Sequence, residues 1–179
     1  RLVKGLLKKQ FSYILIDAYA NAFNREANGN GHAYDLDQQS PWVWERKFEL
    51  DSLCYPLWLL LRYYEKTGDR SCMDDLFLKA FDKIIEVFQT EQDHAEKSAY
   101  YHEITGCEKK HWCGRGTAVS GGGLVWSGYR PSDDKCSYGY YLPGNMFIVA
   151  ILTKLAPVFR GALCDAERAK ICERLAEEI

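Results

Sequence analysis

Trp42, Trp44, Glu45, Arg46, Lys47, Glu49 and Asp51 fall within ten residues, immediately before a long apolar run. An ordinary helix start needs one capping oxygen and at most one further acid. Flat rings beside carboxylates suit a carbohydrate: the ring covers the C–H face of a sugar and charged acceptors take its hydroxyls. Asp51 at a helix start would face the positive end of the helix dipole. The other reading of the strip is a plain N-cap at Asp51, preceded by a surface salt-bridge cluster of Glu45, Arg46, Lys47 and Glu49. A second strip runs from Trp126 through Ser127, Gly128, Tyr129, Arg130, Pro131 and Ser132 to Asp133 and Asp134. Arg130 there can fork onto vicinal hydroxyls or a carboxylate, and the two aspartates can accept from hydroxyls. Its alternative is a Ser-Asp turn with no ligand.

Other constellations carry less. His102, Cys107, His111 and Cys113 are zinc-type ligands, but their spacing matches no standard knuckle. Gly114-Arg115-Gly116 with Gly121-Gly122-Gly123 fails the dinucleotide fingerprint, because Val119 stands at the third glycine position and no strand-to-helix context surrounds it. A tightly turned or mobile site loop is the better reading. No G-x-S-x-G elbow occurs.

The elements that must position these strips are helical. Leu2, Leu6, Leu7, Phe11, Ile14 and Leu15 recur at helical spacing in the first helix. A second spans 48–66, with Leu50, Leu53, Cys54, Leu57, Leu60 and Leu61 as its buried stripe and Gly68 beyond its end. Pro56 is expected near its beginning, where a missing N–H does least harm. A third covers about 72–90, with Leu76, Ala80, Ile84, Val87 and Phe88 inward. A long irregular region follows over 91–142, and a loop of that length in a domain is usually functional. A fourth helix covers 143–159, with Pro143 in its first turn and a bend at Pro157. A fifth begins near Cys164 and Asp165. Asp51 to Pro56 and Tyr138 to Pro143 share a plan, a polar aromatic strip before an apolar run, which suggests repeated helix hairpins. The expected fold is all-α: an α/α barrel fits, here an incomplete part of one, whose inner helices start at one rim. Short strands such as 123–129 would decorate its loop region.

Composition narrows the classes. The 23 Lys and Arg balance 25 Asp and Glu, giving a net charge of −2, which argues against a nucleic-acid partner. No apolar run reads as long and charge-free enough to span a bilayer. The seven cysteines are odd in number and hold no C-x-x-C pair, a lean towards a reducing compartment. Aromatics reach 14%, many of them in polar loop-like stretches, as a surface binding flat, polar-edged ligands requires. With no initiator Met at Arg1 and a helical pattern running to Ile179, residues 1–179 read as a piece of one larger domain, cut at both ends.

Residues 44–56 resemble the signature of glycoside hydrolase family 125. So do 126–134, followed by Tyr138-Gly139-Tyr140 and Asn145-Met146-Phe147, and so does the block Asp17 to Phe23. The blocks stand in the family's order. Ala18 departs from the family's usual Pro, and Gly144 from a common Ser. The resemblance implies an (α/α)6 barrel and a metal-independent, inverting exo-α-1,6-mannosidase that needs no cofactor and takes a mannose-containing oligosaccharide. It places general-acid duty on Asp51, in Glu49-Leu50-Asp51-Ser52, and the general base on a glutamate C-terminal to Ile179. Glu45, Arg46, Arg130, Ser132, Asp133, Asp134 and Asn145 are the expected substrate-binding residues. Trp42, Trp44, Glu45 and Glu49 would keep the proton on Asp51 if they surround it. Two alternatives stay open: a sugar-binding module that does not cleave, and a related barrel hydrolase acting on glucosides.

Overall fold

The computed structural model describes residues 1–32, 40–102 and 114–179. Its elements, in chain order, are α1 (Leu2–Ile16), β1 (Ala22–Phe23), β2 (Val43–Glu45), α2 (Leu50–Thr67), α3 (Asp75–Gln92), the single-turn α4 (His94–Lys97), α5 (Leu142–Gly161) and α6 (Ala166–Glu178). The chain is thus mostly helical with one small sheet. β1 and β2 pair antiparallel, Ala22 opposite Glu45 and Phe23 opposite Val43, with a register irregularity between them.

α2 buries the stripe that its spacing dictates: Leu50, Leu53, Cys54, Leu57, Leu60 and Leu61. It stops where Gly68 turns left-handed at φ +67° and gives its N–H to the Tyr64 carbonyl at 2.8 Å. α3 starts on an N-cap, Asp74, whose carboxylate accepts from Phe77 N–H at 3.2 Å. It turns Phe77 and Phe81 onto Phe159 of α5, at ring separations of 5.9 and 4.7 Å. α5 packs on α2 and α6, and Arg168 of α6 reaches Asp82 of α3 through two bonds of 2.8 and 2.7 Å.

Several expectations need correction. Half of the α1 stripe faces outward: Leu7, Phe11 and Ile14 are buried, but Leu2 is 88% exposed, and Leu6 and Leu15 are exposed too. Pro56 is the seventh residue of α2, past the first turn, so its missing N–H costs an internal helix bond. Residues 123–129 form isolated bridges, Trp126 with Tyr140 and Tyr129 with Lys135, instead of a strand. Cys164 lies outside the helices, at φ +54° between α5 and α6. α5, by length and composition alone, is apolar enough to cross a membrane. Its Ile148, Ile151, Leu152, Leu155 and Phe159 are buried in the protein core, which accounts for that apolarity. The described cysteines, Cys54, Cys72, Cys136, Cys164 and Cys172, carry free thiols.

Candidate active site

α2 and α5 begin side by side. The gap between their first turns is so narrow that a Cβ on Gly144 would stand 3.0 Å from the Leu50 side chain and 2.7 Å from the Tyr141 ring. The shared plan of the two strips thus has a spatial counterpart. The start of α2 is built by residues far away in sequence. Glu49 is its N-cap position but its side chain caps nothing. Instead, Leu50 N–H donates to Ser127 Oγ at 3.1 Å, and Ser127 Oγ–H donates to the Tyr129 carbonyl at 2.8 Å. Tyr129 N–H donates to the Phe48 carbonyl at 3.0 Å, and Phe48 N–H to Tyr100 Oη at 3.0 Å. Orphan donors of the helix end and its lead-in are therefore satisfied by the loop.

Under that loop lies a buried polar knot. Glu91 accepts from Ser98 Oγ at 2.5 Å and from Tyr19 Oη at 2.8 Å, and lies 2.6 Å from His94 Nδ1. Trp126 stacks on His94 with ring centroids 3.7 Å apart and gives its indole N–H to the Thr117 carbonyl at 3.0 Å. Gly116 sits at φ +74°, and a Cβ there would come within 2.6 Å of that indole. The glycine run is tightly turned at this point because the tryptophan needs the room.

Asp51 stands in the first turn of α2, 5% exposed, with Oδ1 buried and without a hydrogen-bond partner among the described residues. It is therefore not the N-cap. Burial raises its pKa, and a bond to its own backbone opposes the rise without cancelling it. Glu49, Cys54 and Tyr141 are close enough to feel its charge. Trp44 is 41% exposed, and Trp42 lies beside Lys9 of α1, whose Nζ is 5.4 Å from its ring.

The cluster before α2 is largely buried, unlike a surface salt-bridge set. Lys47 Nζ lies 2.6 Å from Asp133 Oδ1 and 3.1 Å from Glu45 Oε1. Burial pulls the Lys47 pKa down, but its bonds to Asp133 and Glu45 outweigh that and leave it raised. Glu45 also accepts from Asn21 Nδ2 at 2.8 Å. Glu49 accepts from Ser52 Oγ at 3.1 Å. Burial first, then the charges of Asp51, Asp133 and Glu45, push its pKa up to about 7 against that bond.

The remaining candidates are held by the protein itself. Arg46 gives Nε–H to Asp17 at 2.6 Å and Nη1–H to the Tyr101 carbonyl at 3.0 Å, beside the rings of Tyr19 and Tyr100. Arg130 lies 3.4 Å from Asp134, which also accepts from Ser132 Oγ at 2.8 Å within the same exposed turn. Asn145 is buried: Oδ1 accepts from Val125 N–H at 2.7 Å, while Nδ2 donates to the carbonyls of Val125 and Tyr141. Of the zinc-type ligands, His102 is buried with its ring edge-on to Tyr129, while Cys107, His111 and Cys113 lie outside the described residues. Among the described residues no three His, Cys, Asp or Glu are grouped to hold a metal ion.

A family model described as metal-independent alpha-mannosidase (GH125) matches residues 1–179. The chain belongs to glycoside hydrolase family 125. Within the family it is similar to a solved structure from Streptococcus pneumoniae, titled as a metal-independent alpha mannosidase in a non-productive complex with alpha-1,6-mannobiose. The two are 38% identical with a TM-score of 0.90, over 98% of this chain and 42% of that one. A curated relative, the meiotically up-regulated gene 157 protein of Schizosaccharomyces pombe, is 30% identical over 90% of this chain and 36% of its own length. The chain thus spans less than half the length of these two relatives. Sequence reasoning named Lys47 and Ser127 within the two strips but did not count them among the site residues. Lys47 was findable: Glu45, Lys47 and Glu49 alternate in an extended segment, which puts them on one side.

Proposed function

We propose that this family 125 chain carries the acid half of an inverting exo-α-1,6-mannosidase. Asp51 protonates the glycosidic oxygen, and a glutamate C-terminal to Ile179 in the whole protein draws a proton from the attacking water. The observation that carries this reading is the buried Oδ1 of Asp51, without a partner among the described residues, on a carboxyl whose pKa is raised by burial. A carboxyl whose burial favours the protonated form, with one oxygen left without a partner, suits donation to a leaving-group oxygen. Glu45 and Asp133, fixed by Lys47, accept from hydroxyls of the terminal mannose, and the exposed Arg130–Asp134 turn borders it. Arg46 and Asn145 act at one remove: Arg46 locks the strip to Asp17, and Asn145 pins Val125 to the start of α5. α2 and α5, starting together, are inner helices of an (α/α)6 ring in this reading. Inversion needs carboxyl groups about 6.5–9.5 Å apart, enough for a water between them. The test is the anomer first released from α-1,6-mannobiose by the full-length protein, followed by NMR. β-Mannose is the expected product; α-mannose would remove the inverting mechanism, and no release would remove the activity.

A further inference from the structure

We propose that His94 is a positioning residue of this site: held as a buried imidazolium between the Glu91 carboxylate and the Arg115 carbonyl, it fixes the Trp126–Ser127 segment and, through it, the first turn of α2. The proposal rests on the reading of Asp51 as the acid. His94 is 2% exposed and Glu91 0%. The partners of the ring assign its protons. Nε2 lies 2.6 Å from the Arg115 carbonyl, which can only accept, so Nε2 carries a proton. Nδ1 lies 2.6 Å from Glu91 Oε2, while Oε1 of the same carboxylate accepts from Ser98 Oγ and Tyr19 Oη. Two donors thus already converge on Glu91, as on an ionised carboxylate, and Nδ1 is the third. A neutral ring with its proton on Nε2 would set a bare Nδ1 lone pair against that carboxylate. The charge pair is desolvated but hydrogen-bonded on every side, the condition under which a buried pair persists. Arg115 Nη2 closes the turn, donating to the carbonyls of His94, Ala95 and Ser98.

Two routes lead from this pair to the start of α2. The His94 ring lies flat on Trp126, with centroids 3.7 Å apart and planes 8° apart, so the cation faces the indole. Trp126 N–H donates to the Glu91 carbonyl at 3.1 Å. The next residue, Ser127, accepts from Leu50 N–H at 3.1 Å, one position before Asp51. The second route leaves from the carboxylate. Ser98 Oγ donates to Glu91 and accepts from Tyr100 N–H at 3.1 Å. Tyr100 Oη in turn accepts from Phe48 N–H and donates to the Arg46 carbonyl, each at 3.0 Å. The N–H groups of Phe48 and Leu50, on either side of Glu49, therefore both depend on one buried ion pair. A displacement of about 1 Å at a reacting group lowers a rate by about 100-fold, so a support of this kind acts on kcat.

The experiment joins NMR of the histidine rings to steady-state kinetics on α-1,6-mannobiose, both on the full-length protein. In nitrogen-15-labelled wild type at neutral pH, the His94 ring is expected to carry protons on both nitrogens. In Glu91→Gln, whose amide can donate to Nδ1, the same ring is expected to become neutral. A wild-type ring with one protonated nitrogen overturns the proposal. His94→Phe keeps a ring on Trp126 and removes both hydrogen bonds. Its kcat is expected to fall by about 10–100-fold with KM within a few-fold, and Glu91→Gln is expected to follow it by less. A lower melting temperature with kcat per folded molecule unchanged means that His94 has only a structural role, and overturns the proposal. Should His94→Phe not fold, an unchanged kcat in Glu91→Gln overturns it instead. Asp51→Asn in the same assay tests the acid reading separately. Release at the wild-type rate by that variant removes the assignment of Asp51, whereas lost release there beside an unchanged kcat in His94→Phe removes only the role of His94.

Discussion

Asp51 and Glu49 both hold their protons more tightly in the folded chain than carboxylates ordinarily do, and burial is the first cause for each. Their cost to folding has a definite sign. A raised folded-state pKa means that the native state binds more protons than the unfolded one, so stability falls as pH rises across the gap. For Glu49 the gap runs from its ordinary 4.5 to about 7. Melting temperatures of the wild type and Glu49→Gln, measured from pH 4.5 to 7, are expected to diverge, with the wild type losing more as pH rises. Parallel curves would mean that Glu49 is an ordinary surface carboxylate. Asp51 was legible in the sequence through its place before an apolar run and through the family blocks. Its burial, and the spare oxygen that makes the burial meaningful, depend on residues that are not its sequence neighbours.

At the level of elements, what was readable and what was not divides by sequence separation. The α2 stripe from Leu50 to Leu61 was evident because residues three and four apart share a helix face. The α1 stripe was only half right, since periodicity says which residues share a face and not how much of it a neighbour covers. The clamp on the start of α2 was invisible: Leu50 and its partner Ser127 are 77 residues apart. Nothing in the local pattern marks a serine in a bridge-rich loop as the cap of a distant helix. Ser127→Ala is expected to cost about 1 kcal/mol in chemical denaturation, because it leaves Leu50 N–H buried and unpaired. It should also lower kcat on mannobiose, since it loosens the turn that carries Asp51. Unchanged stability together with unchanged kcat would show that the α2 start is held by other means.

For the whole molecule, a groove of about 620 Å³ opens between α1 and α2, lined in part by Leu6, Tyr13, Tyr55 and Trp58. It reaches Asn21 and Ser52, which bond to Glu45 and Glu49, so the apolar outer face and the acidic strip are continuous. Of the exposed α1 side chains, Leu6 lines this groove, whereas Leu15 lines a separate one towards α3. Proton transfer at the mouth of such a helical assembly is the claim on which the proposed function stands. Its most direct measurement sets mannose release beside calorimetric binding of α-1,6-mannobiose for the full-length protein and its Asp51→Asn variant. The account predicts that release falls by about 10²–10⁴-fold while affinity stays within a few-fold, as loss of a general acid requires. Release at the wild-type rate would contradict it.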